Sequence, residues 1–324
     1  MMAVRFRVLM TDRAWPDTEI EREILQAVDA ELVEPTATDE ATLVQIARDV
    51  DAIATNWAKV TPAVIQSCRR CRVIARLGIG LDNISIETAT QRGIPVTNCP
   101  DYCVSEVSDH ALGLLLACAR QIAFFHLRTK RGEYDLSAAR GLRRLSELTV
   151  GMIGFGHIAR ELLPKLKALG LNVMAHTPSG ADHGTGCQMV SLDELLAQSD
   201  FVSLHAPLSS ATHHLINASR LQQMKPTAYL INTSRGGLID PVALWDALQS
   251  GNLAGAALDV FEPEPPDLSL PLYRDERVIV TPHAAFVSEE SIHQLRQQAM
   301  KQIVQGLLDE RPDNLVNPDC WKNR

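Results

Sequence analysis

The 324-residue chain has no stretch approaching the roughly 18 unbroken apolar residues that a membrane helix requires, so it does not read as a helical membrane protein. It also lacks a basic block. Its 31 Lys and Arg stand against 39 Asp and Glu, a formal charge of -8, which argues against nucleic acid as the main partner. Cysteine is scarce and odd in number, at seven. The two close pairs, Cys68/Cys71 and Cys99/Cys103, have no second pair or His pair at zinc spacing. No metal centre is expected, and the cysteines read as reduced thiols of a cytoplasmic protein. The first ten residues carry Arg5 and Arg7 and no small-residue cleavage site, so they read as a first strand and not a signal peptide. There is no internal repeat and no low-complexity segment. What remains is ordinary globular material, 46% hydrophobic and 22% charged, long enough for two domains at about 150 residues each.

Short apolar runs alternate with helical patterns along the chain, which implies parallel sheets flanked by helices. The first runs are Val4 to Met10, Asp51 to Ala54, Arg72 to Ala75 and Ile94 to Thr97, with a helix from Asp17 to about Val28. A single helix is expected from Ser105, its N-cap, to Arg128, with Glu106 and Asp109 in the first turn where the dipole favours them. Its middle, Ala111 to Ala119, is apolar on every face and must be covered on all sides, by its own domain, by the second domain or by a second subunit. A second parallel set is expected near residues 149–153, 171–175, 201–204, 229–232, 255–259 and 278–281, with a Pro-rich loop at 262–266. The last helix, about Ser288 to Asp309, can return the chain to the first domain.

Residues 149–153 run directly into Gly154-Phe155-Gly156-His157-Ile158-Ala159 and a helix, the dinucleotide fingerprint in its proper context. Gly154 permits the tight turn, Gly156 lets a pyrophosphate approach the backbone, and Ala159 lets helix and strand pack closely. The helix N-terminus offers N–H groups to the phosphates. Pro164 lies within this helix and should bend it. The next strand ends at Thr177 without the acidic residue that usually holds the adenosine ribose, and no Arg or Lys lies between Lys167 and Arg220 to grip a 2′-phosphate. NAD is the expected cofactor, with NADP left open.

Three later segments each leave a strand on a reactive side chain: Arg235, Asp259 with Glu264, and His283. In open α/β sheets this edge is where ligands bind. A guanidinium fork suits a carboxylate. An imidazole backed by a carboxylate can take and return a proton near neutral pH. Singly, each has a structural explanation as a loop ion pair, a solvated turn residue or a strand-end cap. Jointly they form a kit for hydride transfer on an alcohol that carries a carboxylate.

From about Ala75 to Ser291 the chain resembles the D-2-hydroxyacid dehydrogenases. The resemblance runs through Arg76-Leu77-Gly78-Ile79-Gly80-Leu81-Asp82-Asn83-Ile84, the Gly154 fingerprint, His205-Ala206-Pro207-Leu208, Asn232-Thr233-Ser234-Arg235-Gly236, Asp259-Val260-Phe261-Glu262-Pro263-Glu264 and Thr281-Pro282-His283. Asn98 to Cys103 and His283 to Phe286 look most like the branch with the C-terminal-binding-protein relatives; phosphoglycerate-dehydrogenase-like members are also similar. The resemblance implies a Rossmann doubly wound parallel sheet, residues 102–289, inserted in a smaller flavodoxin-like α/β substrate domain, residues 1–101 plus 290–324. It implies Arg235 on the substrate carboxylate, His283 as acid and base, and Glu264 as its partner. Asp259 would hold the nicotinamide carboxamide. Cofactor contacts carry over to Gly154, Gly156, His157, Ile158, Thr177, His205, Pro207, Thr212, Thr233, Arg235 and His283 as well. Substrate contacts carry over to Asn56, Trp57 and the turn Leu77, Gly78, Ile79, Gly80. A homodimer is implied, and no regulatory domain is expected after the last helix.

Departures narrow the reading. Thr177 replaces the usual Asp, His157 stands where Arg is common, and Ser85 replaces an Asp. The loop Ala54 to Lys59 lacks the paired arginines of phosphoglycerate-specific relatives. A phosphate beside Thr55 and Trp57 would lack bidentate partners, so the expected substrate is a non-phosphorylated 2-oxo or 2-hydroxy acid. Trp57 either offers stacking surface to an alkyl or aryl tail or packs under its own loop. The alternative from another class is a dinucleotide-sensing, corepressor-like regulator with vestigial activity, which an intact Arg235, Glu264 and His283 disfavour. A formate dehydrogenase would carry Gln where Glu264 stands.

Overall fold

The computed structural model describes residues 5–139 and 141–321. The chain divides into two compact units, one reaching to Tyr102 and resuming at Ser288, the other Cys103–Val287. Each holds one sheet, and the strands within each pair in parallel.

In the first unit β1 (Phe6–Met10), β2 (Ala30–Val33), β3 (Ala52–Thr55), β4 (Val73–Arg76) and β5 (Val96–Thr97) lie in the order β2-β1-β3-β4-β5. β3 and β4 are buried throughout, as parallel strands covered on both faces must be. The helices α1 (Glu19–Gln26), α2 (Glu40–Ala47), α3 (Pro62–Ser67) and α4 (Ile86–Gln91) intervene. Asp39 caps α2 through the Thr42 N–H, and Thr61 caps α3 ahead of Pro62; both satisfy donors that a helix start leaves open. The C-terminal helix Glu289–Leu307 opens with a reciprocal capping box between Ser288 and Ser291. Its buried stripe Leu295, Ala299, Met300, Ile303 and Leu307 packs on β3, β4 and α1. Gly306 sits so close to β4 that a Cβ there would meet the Val73 side chain at 2.5 Å. Arg296 adds ion pairs of 2.7 Å to both Asp17 and Glu21.

The second unit opens with α5 (Val104–Ala119) and α6 (Ile122–Lys130), bent 63° apart. This corrects the expectation of one helix capped by Ser105. Cys103 stands at the N-cap, and Gln121 breaks the run by adopting φ 50. Of the apolar stretch, Ala111, Leu114, Leu115, Cys118 and Ala119 are buried within the chain, while Gly113 is exposed and Leu112, Leu116 and Ala117 are half-buried. No single helix among the described residues is long and apolar enough to cross a membrane.

The sheet that follows comprises β6 (Thr149–Ile153), β7 (Asn172–His176), β8 (Gln188–Met189), β9 (Phe201–Leu204), β10 (Tyr229–Asn232), β11 (Gly255–Leu258) and β12 (Val278–Val280), in the order β12-β11-β10-β9-β6-β7-β8. Alternate strand residues face two separate cores. Val150, Met152, Ile231 and Ala257 join α5 and α7 (His157–Ala168), while Ile153, Leu230, Ala256 and Leu258 join Leu195, Leu221 and Leu244 of the other helix layer. The winding reverses between β6 and β9, and this opens the crevice in which such sheets bind ligands. Helix α7 runs unbroken through Pro164.

Candidate active site

At the crevice, Gly154 follows β6 with φ +93, a conformation that L side chains rarely adopt. A Cβ there would also lie 2.5 Å from the His205 backbone, so two loops meet across this glycine. Gly156 faces open space and stands at the N-cap of α7, where no side chain caps the helix. Such a start, with its orphan N–H groups and positive end, suits a phosphate. His157 and Ile158 form its first turn. Thr177 lies just beyond β7, its hydroxyl 3.3 Å from that of Ser179. His205 follows β9, its Nε2 2.9 Å from Ser203 Oγ, and burial drives its imidazole down to about 4, so it is neutral at pH 7. Thr212 donates to Pro207 O at 2.7 Å and accepts from Ser209 N–H at 2.8 Å, closing the loop that carries Pro207. Thr233 Oγ1 is buried and has no hydrogen-bond partner among the described residues. An unmet buried hydroxyl carries a desolvation cost, which a bound ligand relieves. The open face at Gly156, the uncapped helix and Thr233 together fit a dinucleotide.

The ends of β10, β11 and β12 gather the reactive side chains of this unit. Asn232, fully buried, donates to Arg235 O at 2.8 Å and accepts from Ser234 N–H at 3.0 Å, which pins the backbone ahead of the guanidinium. Gly236 packs against the β11 loop so closely that a Cβ would meet the Phe261 carbonyl carbon at 2.0 Å. His283 Nδ1 lies 2.7 Å from Glu264 Oε2, and Glu264 Oε1 accepts from Phe261 N–H at 2.8 Å. Burial alone would raise the Glu264 carboxyl. The His283 hydrogen bond and charge, the Phe261 N–H and the Arg235 guanidinium outweigh it and hold the carboxyl below its ordinary value. Glu264 is therefore an anion at neutral pH, and its contact with Nδ1 leaves Nε2 as the nitrogen that can exchange a proton. His283 itself has φ 53, a strained setting for a non-glycine residue and a frequent feature of functional positions.

Asp259 does something the sequence did not reveal. It is fully buried, and its Oδ1 accepts from Thr281 Oγ1 at 2.5 Å and Ala284 N–H at 2.9 Å, while Oδ2 accepts from Ala285 N–H at 2.9 Å. It thus ties down the loop that bears His283, whose own N–H reaches Asp259 O at 2.8 Å. His110 of α5 joins the knot, with Nε2 3.0 Å from Thr281 Oγ1 and 3.5 Å from Asp259 Oδ1. His110 stands far from the other members in sequence, and no local signal marks it.

In the first unit, Asn56 and Trp57 follow β3 and the Leu77–Gly80 turn follows β4. Asp12, also unforeseen, holds that first loop by accepting from Asn56 N–H at 3.0 Å and Trp57 N–H at 2.7 Å. Asn83 ties it from the other side through Asn56 O and Ala58 O, both at 3.0 Å. Trp57 is 44% exposed, so it does not pack under its loop. Asn56 Nδ2 is buried without a hydrogen-bond partner among the described residues. In the turn, the carbonyls point inward: Gly78 O accepts from Cys99 N–H at 3.0 Å and Ile79 O from Asn98 Nδ2 at 2.8 Å. Among the described residues the N–H groups of Gly78, Ile79 and Gly80 have no such partner, which makes the turn a concavity for an anion.

A doubly wound sheet with a phosphate-binding turn at its switch point, and an ionised carboxylate holding an imidazole beside an arginine, define a dinucleotide-dependent oxidoreductase. The model of the D-isomer specific 2-hydroxyacid dehydrogenase NAD-binding domain matches residues 112–285. A hydroxypyruvate reductase of Thermotoga maritima is 37% identical over 82% of this chain and 87% of its own length. A D-3-phosphoglycerate dehydrogenase of Methanocaldococcus jannaschii is 37% identical over 96% of this chain, which spans only 59% of that relative. Among solved structures, the D-lactate dehydrogenase of Aquifex aeolicus with NAD and lactic acid superimposes with a TM-score of 0.86 at 30% identity, covering 96% of this chain and 99% of that one. The NADPH-dependent glyoxylate/hydroxypyruvate reductase of Sinorhizobium meliloti with NADP and malonate gives 0.85 at 30%, covering 96% and 97%. The chain belongs to the D-isomer specific 2-hydroxyacid dehydrogenase family, whose fold and NAD(P)-binding domain it shares.

Proposed function

We propose that the protein reduces a non-phosphorylated 2-oxo acid to the D-2-hydroxy acid, reversibly, with Arg235, Glu264 and His283 as its working side chains. The observation that carries this is the 2.7 Å contact between His283 Nδ1 and Glu264 Oε2. Gly154, Gly156, His157, Ile158, Thr177, His205, Pro207, Thr212, Thr233 and Asp259 would hold the dinucleotide. When bound, that cofactor supplies the hydride for C2 of the acid and takes it back in the reverse direction. Arg235 binds the carboxylate through its planar fork. His283 gives a proton to the forming hydroxyl from Nε2 and recovers it on oxidation, while Glu264, held against Nδ1, fixes the tautomer. Within the first unit, the Leu77–Gly80 turn offers N–H groups suited to a carboxylate. Exposed Trp57 favours an apolar tail on the acid.

The chain is proposed to work as a homodimer. Ile122 and Leu127 of α6 are 57% and 43% exposed, and Leu136 is 81% exposed. Beside them lies a groove of about 1190 Å³, lined by Cys118, Phe124, Arg128 and Tyr229 among others, with His283 outside its lining. Light scattering of the purified protein checks the assembly.

The test of function is oxidation of NADH and NADPH over glyoxylate, pyruvate, hydroxypyruvate, phenylpyruvate and 3-phosphohydroxypyruvate, with Trp57→Ala alongside. A non-phosphorylated acid should give the highest kcat/KM, and Trp57→Ala should lower it most for the aryl substrate. A tenfold advantage for the phosphorylated acid would sink the substrate reading. No turnover of any acid would sink the enzymatic one.

A further inference from the structure

We propose that His213, His214 and Glu262 form a surface site for a divalent late-transition-metal ion of the Zn²⁺ or Ni²⁺ kind. The two histidines lie on the loop after β9 and the glutamate on the loop after β11. His213 Nε2 is 3.2 Å and His214 Nε2 is 4.0 Å from Glu262 Oε2. One ligand atom from each of the three residues lies within 4.8 Å of the other two. A tetrahedral ion with bonds of about 2.0–2.1 Å spaces its ligand atoms about 3.4 Å apart. The two observed separations bracket that value, so small side-chain rotations would complete the set. Two imidazoles with one carboxylate suit Zn²⁺, Ni²⁺ or Cu²⁺, whereas Mg²⁺ and Ca²⁺ favour oxygen donors.

The backbone is shaped for this convergence. His214 adopts φ 50, the left-handed region that non-glycine residues seldom enter. The two rings lie stacked, 4.0 Å between centroids and 22° between planes. His213 N–H is held by Ser209 O at 2.9 Å and His214 N–H by Gly237 O at 2.7 Å. Gly237 also leaves room for the carboxylate, since a Cβ there would lie 2.8 Å from Glu262 Oε2. The three side chains are 39–48% exposed, so an ion reaches them from solvent and fills its remaining positions with water. None of them belongs to the proposed catalytic set, and the inference does not rest on it. An ion here would clamp the loop after β9 to the loop after β11, two residues from Glu264.

The metal-free full-length protein is titrated with Co²⁺, whose four- and five-coordinate complexes absorb visible light far more strongly than the hydrated ion. One equivalent should develop the band, Zn²⁺ should displace it, and excess Mg²⁺ should not. The double variant His213→Ala/His214→Ala and the near-isosteric Glu262→Gln should each weaken binding by at least about tenfold, the lower end of what loss of even an indirect ligand partner costs. Zn²⁺ should raise the unfolding temperature of the wild type and of neither variant. Absence of a stoichiometric band overturns the site, as does a band that survives in both variants or yields to Mg²⁺.

Discussion

Replacing Glu264 by Gln keeps the shape of the side chain and removes its charge. In the native site Oε1 accepts from Phe261 N–H and Oε2 faces His283 Nδ1 at 2.7 Å. If the amide oxygen keeps the Phe261 bond, its NH₂ faces Nδ1, and that pairing demands an unprotonated Nδ1. The proton then resides on Nε2, the wrong tautomer for a base in the oxidation direction, and the imidazolium needed for reduction loses its counter-charge. Two unit charges about 4 Å apart attract by about 4 kcal/mol at an effective dielectric of 20. The His283 and Glu264 side chains are 25% and 31% exposed, so solvent screening leaves about 1–2 kcal/mol, or roughly tenfold in rate. The rate at pH 7.5 should fall by roughly 10–10²-fold, with little change in the affinity for NADH. The assay is kcat/KM at pH 7.5 by NADH absorbance for both proteins, with NADH affinity from fluorescence titration. An unchanged rate would refute the pairing as the source of the proton-transfer chemistry.

Thr177→Asp should repel a 2′-phosphate and raise the NADH over NADPH preference by roughly tenfold, the effect of about 1–2 kcal/mol; a wild-type preference already as steep would contradict the reading. Gly154→Ala should cost about 2–5 kcal/mol, from left-handed strain and from crowding of the His205 backbone, visible as a lower urea midpoint and lost NADH binding. His205 ties stability to pH: burial lowers its folded value to about 4 from 6.5, so the unfolded chain takes up a proton that the folded chain refuses. That contribution is fully present above pH 6.5 and is lost as pH falls towards 4. Because the residue keeps some contact with solvent, it amounts to less than the roughly 3 kcal/mol that such a shift would allow. His205→Gln should flatten the urea-derived stability slope between pH 6.5 and 4.5, and an unchanged slope would exclude His205 as its source.

Six of the seven strands of the second sheet were legible because they are short apolar runs bounded by glycine and polar residues, while the two-residue edge strand β8 carries no such run. The expected spans of β6, β9 and β10 agree with the observed ones to the residue. β2 escaped because Ala30–Val33 is a four-residue edge strand with its glutamate in the solvent. The α5–α6 break escaped because the apolar pattern carries on through Ile122, Phe124 and Phe125, and the breaking residue is a glutamine, which no propensity singles out. Arg235, Glu264 and His283 were readable as strand-end motifs. Asp12, His110 and the holding role of Asp259 were not, because hydrogen bonds across 22 to 171 residues have no local pattern.

The helix Glu289–Leu307 covers strands made some 200 residues earlier; its Arg296 meets Glu21 across a separation of 275. During synthesis the first four strands emerge long before their cover exists. The Cys103–Val287 unit can fold in the meantime, as domains generally fold in units from the N-terminal side. The exposed faces of β3 and β4 then wait for almost the whole polypeptide, which makes the nascent first unit the aggregation-prone partner of the pair. A chain stalled or cut before Ser288 would keep a complete Rossmann unit and leave the other sheet without one of its two coats, so loss of the C-terminus should be felt first at the opposite end of the sequence.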